Sequence, residues 1–293
     1  MRGNDTPHCA LPREVNCQSG CCVVRQVADV NGLELISHVP KTPKHPVPLL
    51  FVHGAFVAAW CWDEYFLPYF AKRGFAAHAV SLRGHGGSTG WDTLAATSID
   101  DYEVDVQRVA QHIGSPLVVI GHSMGGMVVQ RCLHKLNATA AVFMASVPPD
   151  GLLSSSMLLA SRDSTLFSEI NMIHYAHPGF ATMGGVRRAI FSDHISDEEA
   201  GKHLARMQPE SQRAVFDLSW PQHFFIGRAT GVPVMVLGGE TDAFFPRDMV
   251  ESTARVYGVT AEIFPDMAHA MMLERDWRHV ADHIIAWLKR GDA

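Results

Sequence analysis

The sequence has few of the features that mark membrane, secreted or nucleic-acid-binding proteins. No apolar run approaches the about 20 residues that a membrane-spanning helix needs. Residues 1–22 lack the apolar central region of a secretory signal, so we expect a cytoplasmic protein with reduced cysteines. The formal net charge is -6 and basic residues occur only in short groups, so nucleic acid is not an expected partner.

Cysteine is scarce, and four of the six cysteines lie within the first 22 residues. These four are Cys9, Cys17, Cys21 and Cys22. Their spacing fits no standard zinc site, so we expect surface thiols and no metal. The other two, Cys61 and Cys132, stand in apolar surroundings and are expected to be buried. Because residues 1–22 are polar and rich in turn-forming residues, we interpret them as a poorly ordered arm.

Nucleotide-binding signatures are also missing. The turn at residues 83–88, RGHGGS, is rich in glycine but has no P-loop lysine. It also lacks a G-x-G-x-x-G pattern that opens a helix within a dinucleotide-binding unit. We therefore interpret this turn as a structural element beside a site.

What the sequence does contain is a series of short apolar runs separated by amphipathic segments. Buried strands are predicted at residues 49–52, 76–82, 117–120, 138–145, 232–237 and 260–264. Asn31-Gly32, between two further strand-like runs, predicts an antiparallel hairpin over residues 23–39. Amphipathic helices are predicted at residues 99–113, with Ser98 as N-cap, and at residues 276–290. This alternation predicts an α/β fold.

Residues 148–228 interrupt the alternation of strands and helices. The segment opens with PPDG and contains helical pieces but no convincing strand. Ser196 with Glu199 predicts one helix start, and Pro209-Glu210 predicts another. We interpret residues 148–228 as a helical cap inserted between two parts of the core, residues 23–147 and 229–293.

Residues 116–136 are the most informative stretch, because they combine a buried strand, a tight turn and a helix. The turn, GHSMG, fits the G-x-S-x-G nucleophile elbow. A side chain at either glycine would collide with a neighbouring strand or helix. The pattern predicts Ser123 at the carboxyl edge of the sheet, with the Met124 N–H free to bind an oxyanion.

Two other strand ends carry the groups that a serine nucleophile needs. Asp242 follows the strand at 232–237, and His269 follows the strand at 260–264. A histidine can take the serine proton near neutral pH, and a carboxylate can hold its tautomer. The rival carboxylates are less well placed, since Asp248 lies deep in the next helix and Asp266 lies too near its strand end. Of 17 histidines, His269 alone follows the last strand before the closing helix.

The loop after residues 49–52 begins with His53-Gly54-Ala55-Phe56. Gly54 allows a close approach of substrate, and the N–H of Ala55 or Phe56 can be the second oxyanion donor. We favour Phe56, which stands two residues past the His-Gly pair. His53 is expected to bond the loop to itself. The candidate substrate-pocket residues are His53, Gly54, Trp60 and His122.

The motifs HGAF, SLRGHGGS, GHSMGG, GGETDAFFP and MAHAMMLE resemble those of the α/β-hydrolase fold superfamily, in its cap-bearing serine esterase/lipase group. The resemblance begins near residue 49. It implies a mostly parallel eight-stranded sheet with helices on both faces, the triad Ser123, Asp242 and His269, and no metal or organic cofactor. Two features depart from the resemblance: Ser81 stands where relatives often have aspartate, and the cysteine-bearing arm has no family counterpart.

The expected function is hydrolysis of carboxylic esters of small to medium apolar groups, through an acyl-enzyme on Ser123. Carbon–carbon bond hydrolysis, thioester or lactone hydrolysis and cofactor-free perhydrolysis are alternatives on the same triad, and a non-catalytic binding protein is a remote one. Carbon–carbon bond hydrolysis needs a cationic pocket. The candidate cations are Arg162, Arg187, Arg188 and Arg206.

Overall fold

A computed structural model of the protein describes residues 13–18, 21–114, 116–175, 183–226 and 231–290. These residues form one sheet of nine strands. The strands are β1 (Arg13–Gln18), β2 (Cys21–Val30), β3 (Leu33–Pro40), β4 (Leu49–Val52), β5 (Ala77–Val80), β6 (Leu117–His122), β7 (Ala138–Met144), β8 (Val234–Gly239) and β9 (Ala261–Phe264). Their order across the sheet is β1-β2-β3-β5-β4-β6-β7-β8-β9.

The sheet has a short antiparallel side and a longer parallel side. The pairs β1/β2, β2/β3 and β3/β5 are antiparallel. From β5 to β9 every neighbouring pair is parallel. Strands β2 to β9 are the eight that the sequence predicts, so the mostly parallel α/β-hydrolase sheet is confirmed, with β1 as an additional edge strand.

Helices connect most of the parallel strands. Those that the structure describes are α1 (Trp60–Asp63), α2 (Phe66–Lys72), α3 (Ile99–Ile113), α4 (Met124–Cys132), α5 (Leu152–Arg162), α6 (Ser164–Tyr175), α7 (Met183–Ile190), α8 (Asp197–Leu204), α9 (Gln212–Ser219), α10 (Arg247–Tyr257) and α11 (Trp277–Lys289). Short 3₁₀ helices occupy Trp91–Ala96 and Leu133–Lys135. Helix α3 has the predicted bounds, because Ser98 and Asp101 form a capping box at its start.

The core lies on both faces of the sheet, as strand β4 illustrates. Leu49 and Phe51 pack with residues of α1, α2 and α11, whereas Leu50 and Val52 pack with residues of α3, α4 and α10. All four side chains are fully buried. Side chains alternate across a strand, so a strand that is apolar at every position requires helices on both sides. Burying each such side chain contributes roughly 1.5–3 kcal/mol.

The antiparallel hairpin at the start of the core is confirmed. Val30 at the end of β2 pairs with Leu33 at the start of β3. Between them Asn31 has φ 54° and Gly32 has φ 86°. Left-handed backbone at both central residues is what a type I′ turn requires, and asparagine and glycine tolerate it best.

Residues 13–18 differ from the expected poorly ordered arm. They form β1, which pairs with β2 from Arg13 opposite Gln26 to Gln18 opposite Cys21. An edge strand gains its backbone hydrogen bonds from one neighbour, so a polar segment without an apolar face can still be a strand. The rest of the predicted arm that precedes residue 21, residues 1–12 and 19–20, lies outside the described residues.

The cysteines fall into two groups. Cys22 is disulfide-bonded, so the expectation of a free thiol is wrong at this residue. The side chains of Cys9, Cys17 and Cys21 lie outside those that the structure describes. Cys61 and Cys132 are free and fully buried, as predicted. Burial raises the pKa of both thiols, that of Cys132 to about 12, so both are protonated near neutral pH.

Membrane-spanning helices and metal-ligand clusters are both missing from the described ranges. These ranges contain no helix long and apolar enough to cross a bilayer. They also contain no group of three or more histidine, cysteine or acidic side chains placed to hold a metal ion.

The chain between β7 and β8, called the insertion below, contains α5 to α9. The Ser196 side chain caps α8 by accepting a hydrogen bond from the Glu199 N–H, as predicted. Helix α9 begins at Gln212 with Ser211 as its N-cap, a short distance after the predicted start at Pro209-Glu210. The shift arises because the Glu210 side chain is buried against the core, where it bonds to His85. The limits of the cap at residues 148 and 228 stay a prediction.

Candidate active site

Ser123 lies in the tight turn between β6 and α4, with φ 52° and ψ -120°. This backbone is strained for a residue with a side chain, and such strain persists only where the surroundings hold it. A Cβ at Gly121 would lie 2.6 Å from the Gly125 carbonyl oxygen, and one at Gly125 would lie 2.2 Å from the His53 carbonyl oxygen. The two glycines of G-x-S-x-G therefore allow backbone segments to pack in direct contact around the serine.

The structure brings together the three side chains that the sequence proposes as a triad. Ser123 Oγ lies 3.0 Å from Nε2 of His269, and Nδ1 of the same ring lies 2.9 Å from Oδ2 of Asp242. With the proton on Nδ1, His269 donates to the carboxylate and accepts from the serine hydroxyl. The arrangement can move a proton from Ser123 to His269 while Asp242 stabilises the charged ring.

Asp242 is held in place by backbone groups of the following turn. Its Oδ1 accepts hydrogen bonds from the N–H groups of Phe244 at 2.8 Å and Phe245 at 3.1 Å. The other oxygen is left for His269, which fixes the direction of the carboxylate. The rival acids Asp248 and Asp266 are both exposed to solvent, whereas Asp242 is buried.

His122, a predicted pocket residue, lines the pocket beside Ser123 and supports the loop of His269. Its Nε2–H donates to the His269 carbonyl oxygen at 2.9 Å. Burial, with His269 nearby, lowers the pKa of His122 well below its ordinary value, so the ring is neutral. A neutral ring next to His269 adds no positive charge that would oppose protonation of the proposed base.

His53 and Gly54 are not among the described residues that line the pocket, in contrast to the prediction. His53 Nδ1–H donates to the Gly54 carbonyl oxygen at 2.7 Å, and its Nε2 accepts from the Leu82 N–H at 3.0 Å. Both ring nitrogens are thus used within the fold, and burial lowers the pKa of His53 to about 3. Gly54 is covered too, because a Cβ there would lie 2.9 Å from Ser123 Cβ.

The two predicted oxyanion donors differ in the structure. Met124 is the first residue of α4, and its N–H makes no hydrogen bond within the described part of the chain. The Phe56 N–H instead points to Oε2 of Glu210, at 3.4 Å. That carboxylate competes with an oxyanion for the same donor, which departs from the prediction. The adjacent Ala55 lines the pocket, and no acceptor for its N–H occurs among the residues described.

Glu210 was missed by sequence reasoning and is the centre of a buried polar cluster. Oε1 accepts from the Tyr102 hydroxyl at 2.7 Å and from the Ser211 N–H at 2.6 Å. Oε2 lies 3.0 Å from Nε2 of His85. His85 comes from the glycine-rich turn that the sequence interprets as structural, so the cluster joins the insertion to that turn.

The ionisation of this cluster follows from its geometry. Burial alone would lower the pKa of His85, but the Glu210 carboxylate outweighs it and raises that pKa above its ordinary value. Burial would likewise raise the pKa of Glu210, but His85 holds it below its ordinary value. The second ring nitrogen, Nδ1, lies 3.0 Å from the Arg83 carbonyl oxygen. Because both nitrogens face acceptors, His85 is an imidazolium paired with a carboxylate.

Gln208 extends the same connection. Its N–H donates to the Phe56 carbonyl oxygen at 2.9 Å. Its side chain accepts from the Gly86 N–H and donates to the Gly84 carbonyl oxygen, both at 2.9 Å. Residues 208–211 therefore join the loop of residues 53–56, the glycine-rich turn and the insertion by hydrogen bonds.

The pocket above Ser123 has a volume of about 930 Å³, open solvent at its mouth included. Trp60, a predicted pocket residue, lines it. The insertion contributes apolar walls, namely Leu152, Ile190, Phe191, Leu204, Met207, Val215 and Leu218. Among the described residues of the wall, the only polar side chain from the insertion is His203.

The predicted candidates for a cationic pocket lie elsewhere. None of Arg162, Arg187, Arg188 and Arg206 is among the described lining residues. Arg162 is exposed, and Arg206 pairs with Glu64 at 2.8 Å. Within the described wall there is accordingly no lysine or arginine to bind an anionic substrate.

Comparison with known proteins places these features in a family. A model of the alpha/beta hydrolase family matches residues 49–282. The chain is 34% identical over 112 residues to a bifunctional esterase/perhydrolase of Acinetobacter calcoaceticus, covering 36% of this chain and 39% of that protein. It is 24% identical over 239 residues to a pheophorbidase of Raphanus sativus, covering 78% and 82%. A bromoperoxidase of Bacillus anthracis superposes with a TM-score of 0.69 at 16% identity, covering 90% of this chain and 99% of the other.

The mostly parallel sheet with a serine in a strand–turn–helix elbow defines an α/β-hydrolase fold. Because the family model matches most of its length, the chain belongs to the alpha/beta hydrolase family. The match to the esterase/perhydrolase spans well under half of that relative.

Proposed function

We propose that the protein is a serine hydrolase that cleaves carboxylic esters of small to medium apolar groups. The observation that carries the proposal is the continuous hydrogen-bond chain from Ser123 through His269 to Asp242, at the floor of an apolar pocket. Similarity to an esterase/perhydrolase and a pheophorbidase supports ester cleavage as the reaction class. A cytoplasmic location and a cap over residues 148–228 are part of the same proposal.

In the proposed reaction Ser123 Oγ attacks the ester carbonyl carbon while its proton passes to His269 Nε2. The carbonyl C=O becomes an oxyanion, and Asp242 stabilises the imidazolium. His269 then gives its proton to the leaving alkoxide, and the alcohol departs from the acyl-enzyme. Water attacks the acyl group, transfers a proton to His269, and the carboxylic acid leaves as Ser123 regains its proton.

The N–H groups of Met124 and Ala55 are proposed to bind the oxyanion. Both lie beside Ser123 in the pocket wall, and neither is used by a hydrogen bond within the described chain. Ala55 is proposed in place of Phe56, because the Phe56 N–H faces Glu210. Each such donor is worth about 100- to 1,000-fold in rate.

The apolar wall supports uncharged substrates over anionic ones. Binding a dienoate, as carbon–carbon bond hydrolases do, would leave its carboxylate without a cation in the described pocket. Perhydrolysis is the second candidate, because the esterase/perhydrolase relative combines both reactions in one protein. Thioesters and lactones are reached by the same acyl-enzyme chemistry.

The test is hydrolysis of p-nitrophenyl esters from acetate to palmitate by the wild-type protein and by Ser123→Ala. We expect turnover of the shorter esters, complete loss in the variant, and fluorophosphonate labelling of wild type only. Turnover that survives in Ser123→Ala would refute the triad. A folded wild type that hydrolyses no ester but is labelled would point to another substrate class. Failure of labelling would indicate a non-catalytic binding protein.

A further inference from the structure

Two side chains that line the apolar pocket carry buried ring nitrogens that bond to nothing in the described protein. Both nitrogens of His203 and the Nε1 of Trp60 are buried without a hydrogen-bond partner, and both residues line the pocket. A fourth such atom, Nδ1 of His122, is covered by the backbone of Gly54, where a Cβ would lie 2.9 Å away. His203 and Trp60 are thus left as polar groups on the wall of the pocket that the fold does not satisfy.

Unsatisfied buried polar groups are uncommon because each one forfeits its hydrogen bonds to water on folding. A leucine or phenylalanine at position 203 would fill the same wall without that cost. The presence of histidine there, among otherwise apolar residues of the insertion, points to a partner that arrives from outside the chain.

Both rings pack against aromatic or charged side chains. His203 lies on α8 among Trp60, Tyr65 and Phe191, with ring centroids 6.3, 6.2 and 6.0 Å away. The Tyr65 hydroxyl donates to Glu199 Oε1 at 2.9 Å, one helical turn before His203, and so anchors α8 to the core.

Trp60 is held from another direction. The Arg206 guanidinium lies 4.1 Å from the centroid of its ring, and the same side chain forms an ion pair with Glu64. The ring nitrogens are buried in this packing, so each ring must turn toward the pocket to bond a ligand; with two rotatable bonds per side chain, that turn costs little entropy.

The ionisation of His203 limits what it can bind. Burial lowers its pKa, so the ring is neutral at neutral pH. A neutral imidazole has one N–H donor and one acceptor nitrogen, and the indole of Trp60 adds a second donor. This set suits an uncharged oxygen, either a carbonyl or a hydroxyl. An anionic group is disfavoured because the described wall has no lysine or arginine.

We infer that Trp60 and His203 form a polar subsite in the pocket, which binds a carbonyl or hydroxyl oxygen on the acyl or the alcohol part of the ester. The inference rests on the proposed ester hydrolysis and makes its substrate more specific. The substrate is then an apolar ester with one additional uncharged oxygen at a distance from the scissile bond.

The test compares esters that differ by one keto group. Methyl heptanoate is compared with its 4-, 5- and 6-oxo derivatives for the acyl side, and heptyl acetate with the corresponding oxoheptyl acetates for the alcohol side. Release of acid is followed at constant pH. We expect at least one keto ester to exceed its parent roughly tenfold in kcat/KM, the value of one well-placed hydrogen bond.

Variants assign that preference to the two rings. His203→Leu is expected to reduce the ratio of keto ester to parent to within about twofold, and Trp60→Phe to reduce it by about threefold. The matched control is His279→Leu, an exposed histidine on α11, which should keep the wild-type ratio. The ratio is the readout because a general loss of folding or of triad function would lower both rates together.

Binding separates the subsite from the proposed catalysis. The same ester pairs are titrated calorimetrically into Ser123→Ala, in which no turnover is expected, with each parent ester as reference. Suppose that Ser123→Ala binds a keto ester tenfold more tightly than its parent and that Ser123→Ala/His203→Leu does not. This result supports the subsite even if the wild type hydrolyses nothing. The inference is overturned if no keto ester is preferred in either assay, or if the preference survives in His203→Leu.

Discussion

His269 and His85 form two histidine–carboxylate pairs of almost the same geometry. One ring nitrogen lies 2.9 Å from Asp242 in the first pair and 3.0 Å from Glu210 in the second. All four side chains are buried, and each carboxylate also accepts backbone N–H bonds. The pairs differ at the other nitrogen of the histidine.

His269 Nε2 faces the Ser123 hydroxyl, which can donate a proton, whereas His85 Nδ1 faces the Arg83 carbonyl oxygen, which can only accept one. The first ring can remain neutral and act as a base. The second is held as a cation, with no site left for another proton. The third partner, not the carboxylate, therefore decides whether such a pair has a catalytic or a structural role.

The largest expected effect comes from removing the histidine of each pair. We expect His269→Ala to lower kcat about 10,000- to 1,000,000-fold, because the serine loses its base. His85→Asn should cost less than about 100-fold, since His85 touches neither the serine nor the pocket. Rates on p-nitrophenyl butyrate, with circular dichroism as the check on folding, would test this. Equal losses in the two variants would contradict the comparison.

The carboxylates should differ in the same way. Asp242→Asn is expected to lower kcat about 10,000-fold, because an amide can place its NH₂ against Nδ1 and favour the wrong tautomer. The Tm of this variant should change little from that of the wild type. A kcat within tenfold of wild type would remove Asp242 from the proposed triad and return Asp248 and Asp266 to consideration.

Glu210→Gln should lower the stability of the protein rather than its kcat. Removing one partner of a buried ion pair costs about 3–5 kcal/mol, measured as the free energy of unfolding in urea. The pair is intact between the lowered pKa of Glu210 and the raised pKa of His85. Its contribution is lost as pH falls through the former or rises through the latter.

The stability gap between wild type and Glu210→Gln should therefore be widest between pH 4.5 and 6.5, the ordinary pKa values of the two groups, and shrink at alkaline pH, where His85 loses its proton. Chemical denaturation at several pH values measures the gap. A gap that stays constant with pH would mean that the pair is not ionic.

The smallest expected effect concerns a third histidine, His203, whose ring is hydrogen-bonded to no carboxylate in the described chain. His203→Leu removes two unsatisfied buried nitrogens, so we expect a gain of about 1–2 kcal/mol and a higher Tm. The exposed control His279→Leu should leave Tm unchanged. A loss of stability in His203→Leu would indicate that the ring is satisfied by water and belongs to the structure rather than to a binding site.

Local patterns predict much of this molecule. The hairpin at Asn31-Gly32, the bounds of α3 and the serine elbow all depend on residues close together in the chain, where turn and capping preferences act directly. The proposed triad could be assembled from the sequence because strand ends in a parallel sheet converge on one edge.

Contacts between distant segments could not be predicted in this way. Glu210 lies 125 residues from His85, and nothing near Pro209-Glu210 distinguishes a buried carboxylate from a helix start. The proposal of Ala55 in place of Phe56 depends on the same distant contact, because Glu210 faces the Phe56 N–H. In the sequence, nothing distinguishes His203 from the other 16 histidines. Only the structure shows that both of its ring nitrogens are buried without a hydrogen-bond partner.

The wide separation of the site residues also bears on how the protein refolds. The hydrogen bond between Ser123 and His269 spans 146 positions, and that between Phe56 and Glu210 spans 154. Closing such long loops is slow compared with forming helices or the β2–β3 hairpin. After dilution from denaturant, helical circular dichroism should thus return well before activity. The interval between the two signals would measure how long the chain has its helices but not yet an assembled active site.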